Sequence, residues 1–206
     1  MALGAARRWS KGDVLFEAGT PTGHFYKVTK GLVAIFRLFE DGRRQIVGIH
    51  TIGDLCGYIE HNGTYHFSGV ALTDVEACGF DRRRFTAFAA RHADLASALA
   101  EDMTEKLRRT GESMAVIGQL KASERVGYFL LQLSGIYADR MGAKPPLRLN
   151  LSRQEIADYL GLSLETVSRA FTKLKNRGFV VLIGHDEVAI VDRQRLADFV
   201  MLEVTI

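Results

Sequence analysis

The sequence predicts an α+β protein with a β-rich N-terminal roll, one long helix, and a helical C-terminal domain that ends in a β-hairpin. Three observations support this fold class. Short apolar runs separated by glycines fill residues 11–80, apolar residues then recur at helical spacing, and two short amphipathic helices precede the hairpin. We place the domains at residues 1–93, 94–120 and 121–206.

The composition of the chain limits its class before any motif is considered. It has 206 residues, 47% of them hydrophobic, which is ordinary for a globular protein with a sizeable core. The formal net charge of +3 favours an anionic partner without requiring one. No apolar run is long enough to span a membrane, and no signal-peptide core follows Arg7 and Arg8, so we expect a cytoplasmic protein without a membrane partner.

Short apolar or β-branched runs alternate with glycines in the N-terminal half. The runs are residues 14–16, 25–28, 32–39, 45–50, 70–72 and 77–80. Strands of this length with glycine turns are typical of a sandwich or a double-sheet jelly roll. Asp41 and Gly42 separate two of the runs, and this dipeptide is the strongest local signal for a β-hairpin.

From residue 94 the pattern changes to one long helix with a narrow apolar seam. The seam consists of Ala100, Met103, Leu107, Thr110, Met114 and Ile117, at alternating spacings of three and four. This is the a/d pattern of a coiled coil, although a helix packed on its own domain is the alternative. The charged residues that flank the stripe favour a seam between two copies. We therefore predict a homodimer in which the last five of these residues form the contact.

The C-terminal domain combines several short helices with a hairpin. A helix over residues 124–140 and a loop at Pro145 and Pro146 lead into two amphipathic helices that break at residues 161–163. Two helices joined by a three-residue turn are the pattern of a helix-turn-helix. Strands over residues 179–183 and 188–191 and a last helix over residues 192–203 follow. This order predicts a winged helix-turn-helix.

Capping signals fix the start of both helices of this motif. Ser152 precedes the first helix, and Glu155 three residues later completes a capping box. Ser163 precedes the second helix as its N-cap. The residues that the apolar spacing places inward are Ile156, Leu160, Val167, Phe171 and Leu174.

The outward face of the second helix carries side chains that can read DNA. Glu165, Ser168 and Arg169 lie there, together with Thr172, and such side chains bind base edges in the major groove. The candidates for contacts with the phosphates of double-stranded DNA are Ser152, Arg153, Ser163, Thr166 and Lys173. The alternative is a plain amphipathic helix pair in which Glu165 and Arg169 form a surface ion pair. Two caps, a glycine turn and nearby basic residues together favour DNA binding.

The order of these parts closely resembles the Crp/Fnr family of bacterial transcription regulators over nearly the whole chain. The matching segments are Gly12-Asp13, Glu17-Ala-Gly19, Lys30-Gly31, Asp41-Gly42-Arg43, Gly53-Asp54-Leu55 and residues 153–169. Glu165-Thr-Val-Ser168-Arg169 is similar to the recognition motif of the Fnr and FixK branch. The resemblance implies a cyclic-nucleotide-binding-like roll, a dimerisation helix, and a transcription regulator that activates transcription and works with RNA polymerase.

The resemblance also implies a role for each base-reading residue. Arg169 would bind a guanine, Ser168 a neighbouring thymine, and Glu165 a base amino group opposite. Leu164 stands where the Crp branch has arginine, and Ser168 stands where it has glycine. Both differences imply an Fnr-type, TTGA-like half-site in a palindromic operator.

The roll lacks the residues that hold a cyclic nucleotide in the family's nucleotide-binding members. Those members follow a Gly-Glu-Leu with an Arg-Ser pair. Here Asp54 replaces the glutamate, residues 64–68 read Thr-Tyr-His-Phe-Ser, and no arginine occurs between Arg44 and Arg82. A buried phosphate without a cation would be undercompensated. We therefore expect no cyclic-nucleotide binding.

The cysteines and histidines leave two alternatives for sensing. Cys78 occupies the place of the roll cysteine that ligates the iron–sulfur cluster in Fnr, but residues 1–50 contain no cysteine, so we expect no cluster, no metal and no cofactor. One alternative is a haem regulator, because His61 and His66 lie where some members place a haem ligand. The other is a redox thiol at Cys56 or Cys78, which requires a lowered pKa.

An enzyme is not expected. The sequence contains no P-loop, no Gly-x-Ser-x-Gly, no His-Glu-x-x-His and no Gly-x-Gly-x-x-Gly. A cupin-like enzyme would need metal-binding histidines on facing strands. His24, His50, His61 and His66 do not have that spacing.

Overall fold

Two antiparallel four-stranded sheets form the N-terminal roll of this computed structural model, which describes residues 4–58, 60–141, 146–184 and 186–200. The strands are β1 (Gly4–Trp9), β2 (Val14–Phe16), β3 (His24–Lys30), β4 (Val33–Leu38), β5 (Arg44–His50), β6 (Leu55–Cys56), β7 (Glu60–His61), β8 (Thr64–Tyr65), β9 (Ser68–Ala71) and β10 (Val75–Asp81). One sheet has the order β1-β10-β3-β6, the other has the order β2-β9-β4-β5, and β7 pairs with β8. The predicted roll is confirmed.

The predicted hairpin lies between β4 and β5. The two strands pair antiparallel from Val33 opposite His50 to Leu38 opposite Arg44. Gly42 has a φ of 82°, in the left-handed region that glycine adopts without strain. The amide of Gly42 donates to the carbonyl of Phe39 and closes the turn.

Aromatic side chains fill the interior of the roll. The ring of Phe16 lies 4.9 Å from the ring of Tyr65 and 6.1 Å from that of Tyr26. Gly69 makes room for it, because a Cβ there would lie 2.6 Å from the Phe16 ring. Trp9 packs edge-on against Tyr26 at 5.2 Å. These rings belong to, or pack against, the buried hydrophobic cluster of the roll.

Two helices follow the roll, α1 (Arg82–Ala89) and α2 (Ala93–Gln119). The sequence analysis predicted α2 but not α1, which Asp81 caps by accepting a hydrogen bond from the amide of Arg84. The chain divides into two compact units at residues 112 and 113, inside α2. The domain limits at residues 93 and 120 stay predictions.

The seam residues of α2 differ in exposure. Leu107 is 74% exposed, Met114 70% and Ile117 38%, whereas Met103 is only partly exposed. Thr110 is exposed, and its hydroxyl donates to the carbonyl of Lys106. Large apolar side chains this exposed on one helix are a feature of interaction surfaces.

The C-terminal unit is a helical domain with a three-stranded sheet. Its elements are α3 (Ala122–Met141), β11 (Leu147–Arg148), α4 (Arg153–Leu160), α5 (Leu164–Asn176), β12 (Val180–Ile183), β13 (Glu187–Ile190) and α6 (Arg193–Val200). The sheet order is β11-β13-β12, so the predicted hairpin has a third strand that the sequence analysis missed. α3 packs against α5 and α6.

Parts of three predictions lie outside the described residues. These are Pro145 in the loop, His185 in the hairpin turn, and the last predicted helix beyond residue 200. Among the helices of the described ranges, none combines the length and the apolarity that crossing a membrane demands.

Candidate nucleic-acid interface

Both caps of the predicted helix-turn-helix are formed. The Ser152 hydroxyl accepts from the amide of Glu155 at 3.2 Å, and the Glu155 carboxylate accepts from the amide of Ser152 at 2.7 Å. Gly161 ends α4 in the left-handed conformation, with a φ of 63°. The Ser163 hydroxyl then accepts from the amide of Thr166 at 3.2 Å and starts α5. These local hydrogen bonds set the turn between the two helices.

The apolar residues of the motif are buried as the sequence predicted. Ile156, Leu160, Val167, Phe171 and Leu174 are all nearly inaccessible to solvent. Arg125 of α3 adds a contact that sequence analysis missed: its guanidinium donates to the carbonyls of Leu120 and Leu160. It thereby satisfies a free carbonyl at the end of α4. No local pattern in the sequence indicates this contact, because residues 125 and 160 are far apart in the chain.

The predicted base-reading residues share the exposed face of α5. Glu165, Ser168 and Arg169 are all exposed, as is Thr172. The Ser168 hydroxyl donates to the carbonyl of Leu164 at 3.0 Å, which leaves its lone pairs free to accept. The Arg169 guanidinium donates to the Thr166 hydroxyl at 3.4 Å, so most of its donors point to solvent.

Glu165 is held as a carboxylate at the start of α5. Hydrogen bonds from its own backbone amide and from Ser163 lower the pKa of its carboxyl, and the nearby charge of Arg169 adds to this effect. A carboxylate in the first turn also interacts favourably with the helix dipole. Glu165 is therefore prepared to accept hydrogen bonds, which is the role that reading a base amino group requires.

Arg153 differs from the other predicted phosphate-binding residues because it is half-buried. Its guanidinium carbon lies 3.5 Å from the centre of the Phe171 ring. Burial lowers the pKa of this guanidinium, because leaving water disfavours the charged form. The flat face of the Arg153 guanidinium contacts the Phe171 ring of α5. Its N–H groups have no acceptor among the residues that the structure describes. A charged group in this state is suited to bind an anion.

The remaining predicted phosphate-binding residues lie around the starts of α4 and α5, apart from one near the end of α5. Ser152 and Ser163 are exposed N-caps. The Ser152 hydroxyl still has a hydrogen to donate, whereas the Ser163 hydroxyl is shared with the Glu165 carboxylate and lies 3.0 Å from the Thr166 hydroxyl. Thr166 is partly exposed, and Lys173 is exposed in the last turn of α5. The free amides at a helix start also attract anions. The structure thus places all five residues on the two helices of the motif or at their caps.

Asp54 and Tyr65, two of the residues that sequence analysis considered in connection with a cyclic phosphate, form hydrogen bonds within the roll. The Asp54 carboxylate is buried and accepts from the amide of Thr51 at 2.9 Å. The Tyr65 hydroxyl donates to the carbonyl of His24 at 2.6 Å, and its ring is buried against Phe16. Both side chains thus form hydrogen bonds with backbone groups of the roll.

The thiols and histidines of the roll differ in their surroundings. Cys56 is 1% exposed, and burial raises the pKa of its thiol to about 12, which argues against a reactive thiolate there. Cys78 is partly exposed on β10, opposite Ala6 and Lys27. The His66 ring packs edge-on against Phe67, and the side chain of His61 lies outside the described residues. The described residues contain no group of three or more side chains arranged to hold a metal ion.

Known proteins match both halves of the chain. Residues 6–92 match the family described as the cyclic nucleotide-binding domain, and residues 124–199 match the Crp-like helix-turn-helix domain. The nitrogen fixation regulation protein FixK of Bradyrhizobium diazoefficiens is 36% identical over 94% of this chain and 81% of that protein. The transcriptional activator protein Anr of Pseudomonas aeruginosa is 33% identical over 90% of this chain and 76% of that protein. The structure of FixK2 from Bradyrhizobium japonicum is similar with a TM-score of 0.85 and 31% identity, over 96% of this chain and 97% of that one.

Proposed function

Because this chain belongs to the Crp/Fnr family of transcription regulators, in its FixK-like branch, we propose that it binds as a homodimer to a palindromic operator with TTGA-like half-sites. The observation that carries the proposal is the exposed face of α5. Glu165, Ser168 and Arg169 lie on it side by side, over a buried apolar face that fixes the helix in its domain.

Each of these three side chains has a chemical role in the proposed complex. Arg169 donates in a bidentate manner to O6 and N7 of guanine. Glu165 accepts from the N4 amino group of cytosine, and its lowered pKa keeps it ionised at neutral pH. Ser168 contacts the neighbouring thymine. Together they specify the half-site, while contacts to phosphate fix the orientation of the helix.

The proposed phosphate contacts come from the edges of the motif. Ser152, Ser163 and Thr166 contribute hydroxyl groups, and Arg153 and Lys173 contribute positive charge. The unmatched N–H groups of Arg153 support its role most directly, since the described residues offer them no acceptor.

The dimer brings two copies of α5 to one face of the DNA. The exposed seam on α2, with Leu107 and Met114 as its most exposed large apolar residues, supports the contact between two copies. A two-fold symmetric protein binds a palindrome whose half-sites lie one helical turn apart. The naming of relatives such as Anr as transcriptional activators supports activation. RNA polymerase is the partner that we propose for an activator.

The proposed regulator needs neither a cyclic nucleotide nor an iron–sulfur cluster. The aromatic side chains between the sheets and the buried Asp54 support the first part of this proposal. The second part rests on the cysteine count of the chain, which is two. Four ligands are usual for such a cluster.

Purified protein is expected to bind a duplex with two TTGA-like half-sites centred about 34–36 Å apart, without added cyclic AMP. Its affinity should exceed that for a scrambled duplex by about 10³-fold or more. Fluorescence anisotropy measures both, and a duplex whose half-sites are moved apart by half a helical turn is the control. Calorimetry with cyclic AMP should give no heat of binding. A micromolar affinity for cyclic AMP, or equal affinity for all duplexes, would contradict the proposal.

Replacing Arg153 should weaken the binding of every DNA sequence to the same extent. In Arg153→Ala we expect the slope of log affinity against log salt concentration to become less steep. The magnitude of the slope should fall by about one for each phosphate contact that is lost in each half-site. Arg153→Lys retains the charge and should restore the slope, but it lacks the planar group that stacks on Phe171. Arg195→Ala is the matched control, because Arg195 also lies over a phenylalanine, Phe179, at 5.3 Å. A changed preference between sequences in Arg153→Ala would place Arg153 among the base-reading residues instead.

A further inference from the structure

One lysine of α2 is tied to the roll. The Lys106 ammonium donates to the carbonyl of Leu55 in β6 at 3.0 Å and pairs with Asp102, one turn earlier in α2, at 2.9 Å. It also lies 4.8 Å from the centre of the Tyr58 ring. The Lys106 side chain is only 18% exposed. Three partners from two parts of the N-terminal unit therefore hold one ammonium group.

This arrangement differs from that of the neighbouring cations on the same helix. Arg108 and Arg109 pair with carboxylates of α2 itself, Glu105 and Glu112, on its more exposed surface. Lysine normally keeps its ammonium in water because losing hydration is costly. The contacts of Lys106 with the backbone of β6 and the ring of Tyr58 offset that cost.

A second titratable group, His50, lies near Lys106 in the N-terminal unit. His50 at the end of β5 has a buried Nδ1 without a hydrogen-bond partner in the described part of the chain. Burial and the charge of Lys106 lower the pKa of His50 to about 4, against the opposing effect of Asp54 and Asp102. His50 is therefore neutral near pH 7. The positive charge at this junction comes from Lys106.

The rotation of α2 about its axis sets both the contacts of Lys106 and the direction of the neighbouring seam residue Leu107. Consecutive residues of an α-helix are rotated by about 100° around its axis. With Lys106 held against the roll, its neighbour Leu107 is turned away and is 74% exposed. A rotation of α2 that released Lys106 would also turn the seam residues.

We propose that Lys106 is a positioning residue that fixes the rotation of α2 on the roll, so that the seam faces a second copy of the chain without any bound effector. The proposal rests on the proposed homodimer and adds the device that sets its geometry. Lys106 acts through its contacts with the Leu55 carbonyl and the Tyr58 ring, and Asp102 balances its charge.

The test compares the dimer dissociation constants of full-length variants by sedimentation equilibrium in the absence of any ligand. Lys106→Met should raise this constant about tenfold, since it removes a largely buried, paired charge. Lys27→Met is the matched control, because Lys27 is exposed on β3 opposite Leu55 and should leave the constant unchanged. Lys106→Arg keeps a charged donor and should stay close to wild type. The fluorescence of Trp9, the only tryptophan, reports whether the roll is folded.

A double variant separates positioning from the cost of an unpaired carboxylate. The double variant Asp102→Asn, Lys106→Met removes both charges and leaves no unpaired carboxylate. It therefore tests the proposal even if Lys106→Met alone unfolds. We expect it to remain about tenfold weaker in dimerisation than wild type, with the Trp9 signal unchanged. Wild-type dimerisation in either methionine variant would overturn the proposal while leaving the proposed function intact. A monomeric wild-type protein would instead contradict the proposed homodimer itself.

Discussion

The double variant Leu107→Lys, Met114→Lys is expected to be monomeric and to lose operator binding by about 10³-fold or more, down to the level of non-specific binding. The two side chains are 74% and 70% exposed, so lysine at these positions should not disturb the fold of the single copy. In a dimer, the substitution would bring lysines of two copies together in an apolar seam, which is strongly unfavourable. Each half-site would then be bound by one copy alone.

The choice of Met114 over Met103 follows from their burial. Met103 also belongs to the predicted seam, but it is only partly exposed, so a charge there would also perturb the single chain. Val47→Lys is the matched control, because Val47 is an exposed apolar residue of the roll at 47%. Light scattering measures the mass and anisotropy measures operator binding. If the double variant still has the mass of a dimer, the contact between copies does not involve this seam.

Arg169→Ala is expected to remove the preference for the guanine of the half-site while leaving non-specific affinity largely unchanged. A bidentate contact with guanine contributes about 1–3 kcal/mol of discrimination, which corresponds to about 5- to 150-fold. The Arg169 side chain is exposed, and among the residues that the structure describes its guanidinium donates only to the Thr166 hydroxyl, at 3.4 Å, so its removal should cost little stability. The change should therefore appear in specificity alone.

Competition among operator variants at several salt concentrations measures this effect. Thr172→Ala is the control on the same face of α5, since its hydroxyl donates to the carbonyl of Ser168. That variant should keep the guanine preference. If Arg169→Ala retains full preference for guanine and Arg153→Ala loses it, the orientation proposed for α5 is wrong, and the base-reading face must be assigned to the start of α4.

The sequence by itself determined the helix-turn-helix and the order of the domains. Ser152 with Glu155, Gly161 and Ser163 are local signals, since each acts on a backbone group within a few residues. The inward and outward faces of α5 follow from the helical period, so Val167 is buried and Arg169 exposed as predicted. The hairpin at Asp41 and Gly42 is local in the same sense. Such features need no knowledge of distant parts of the chain.

The tertiary structure alone decided the features that join residues distant in sequence. β1 is mostly exposed and lacks an apolar alternation, so only its pairing with β10 makes it a strand. β11 is two residues long and exists because it pairs with β13. The stack of Arg153 on Phe171, the burial of Cys56 and the contact of Lys106 with Leu55 likewise depend on packing. Periodicity shows which face of an element is apolar, but which distant group meets that face is set by the folded chain as a whole.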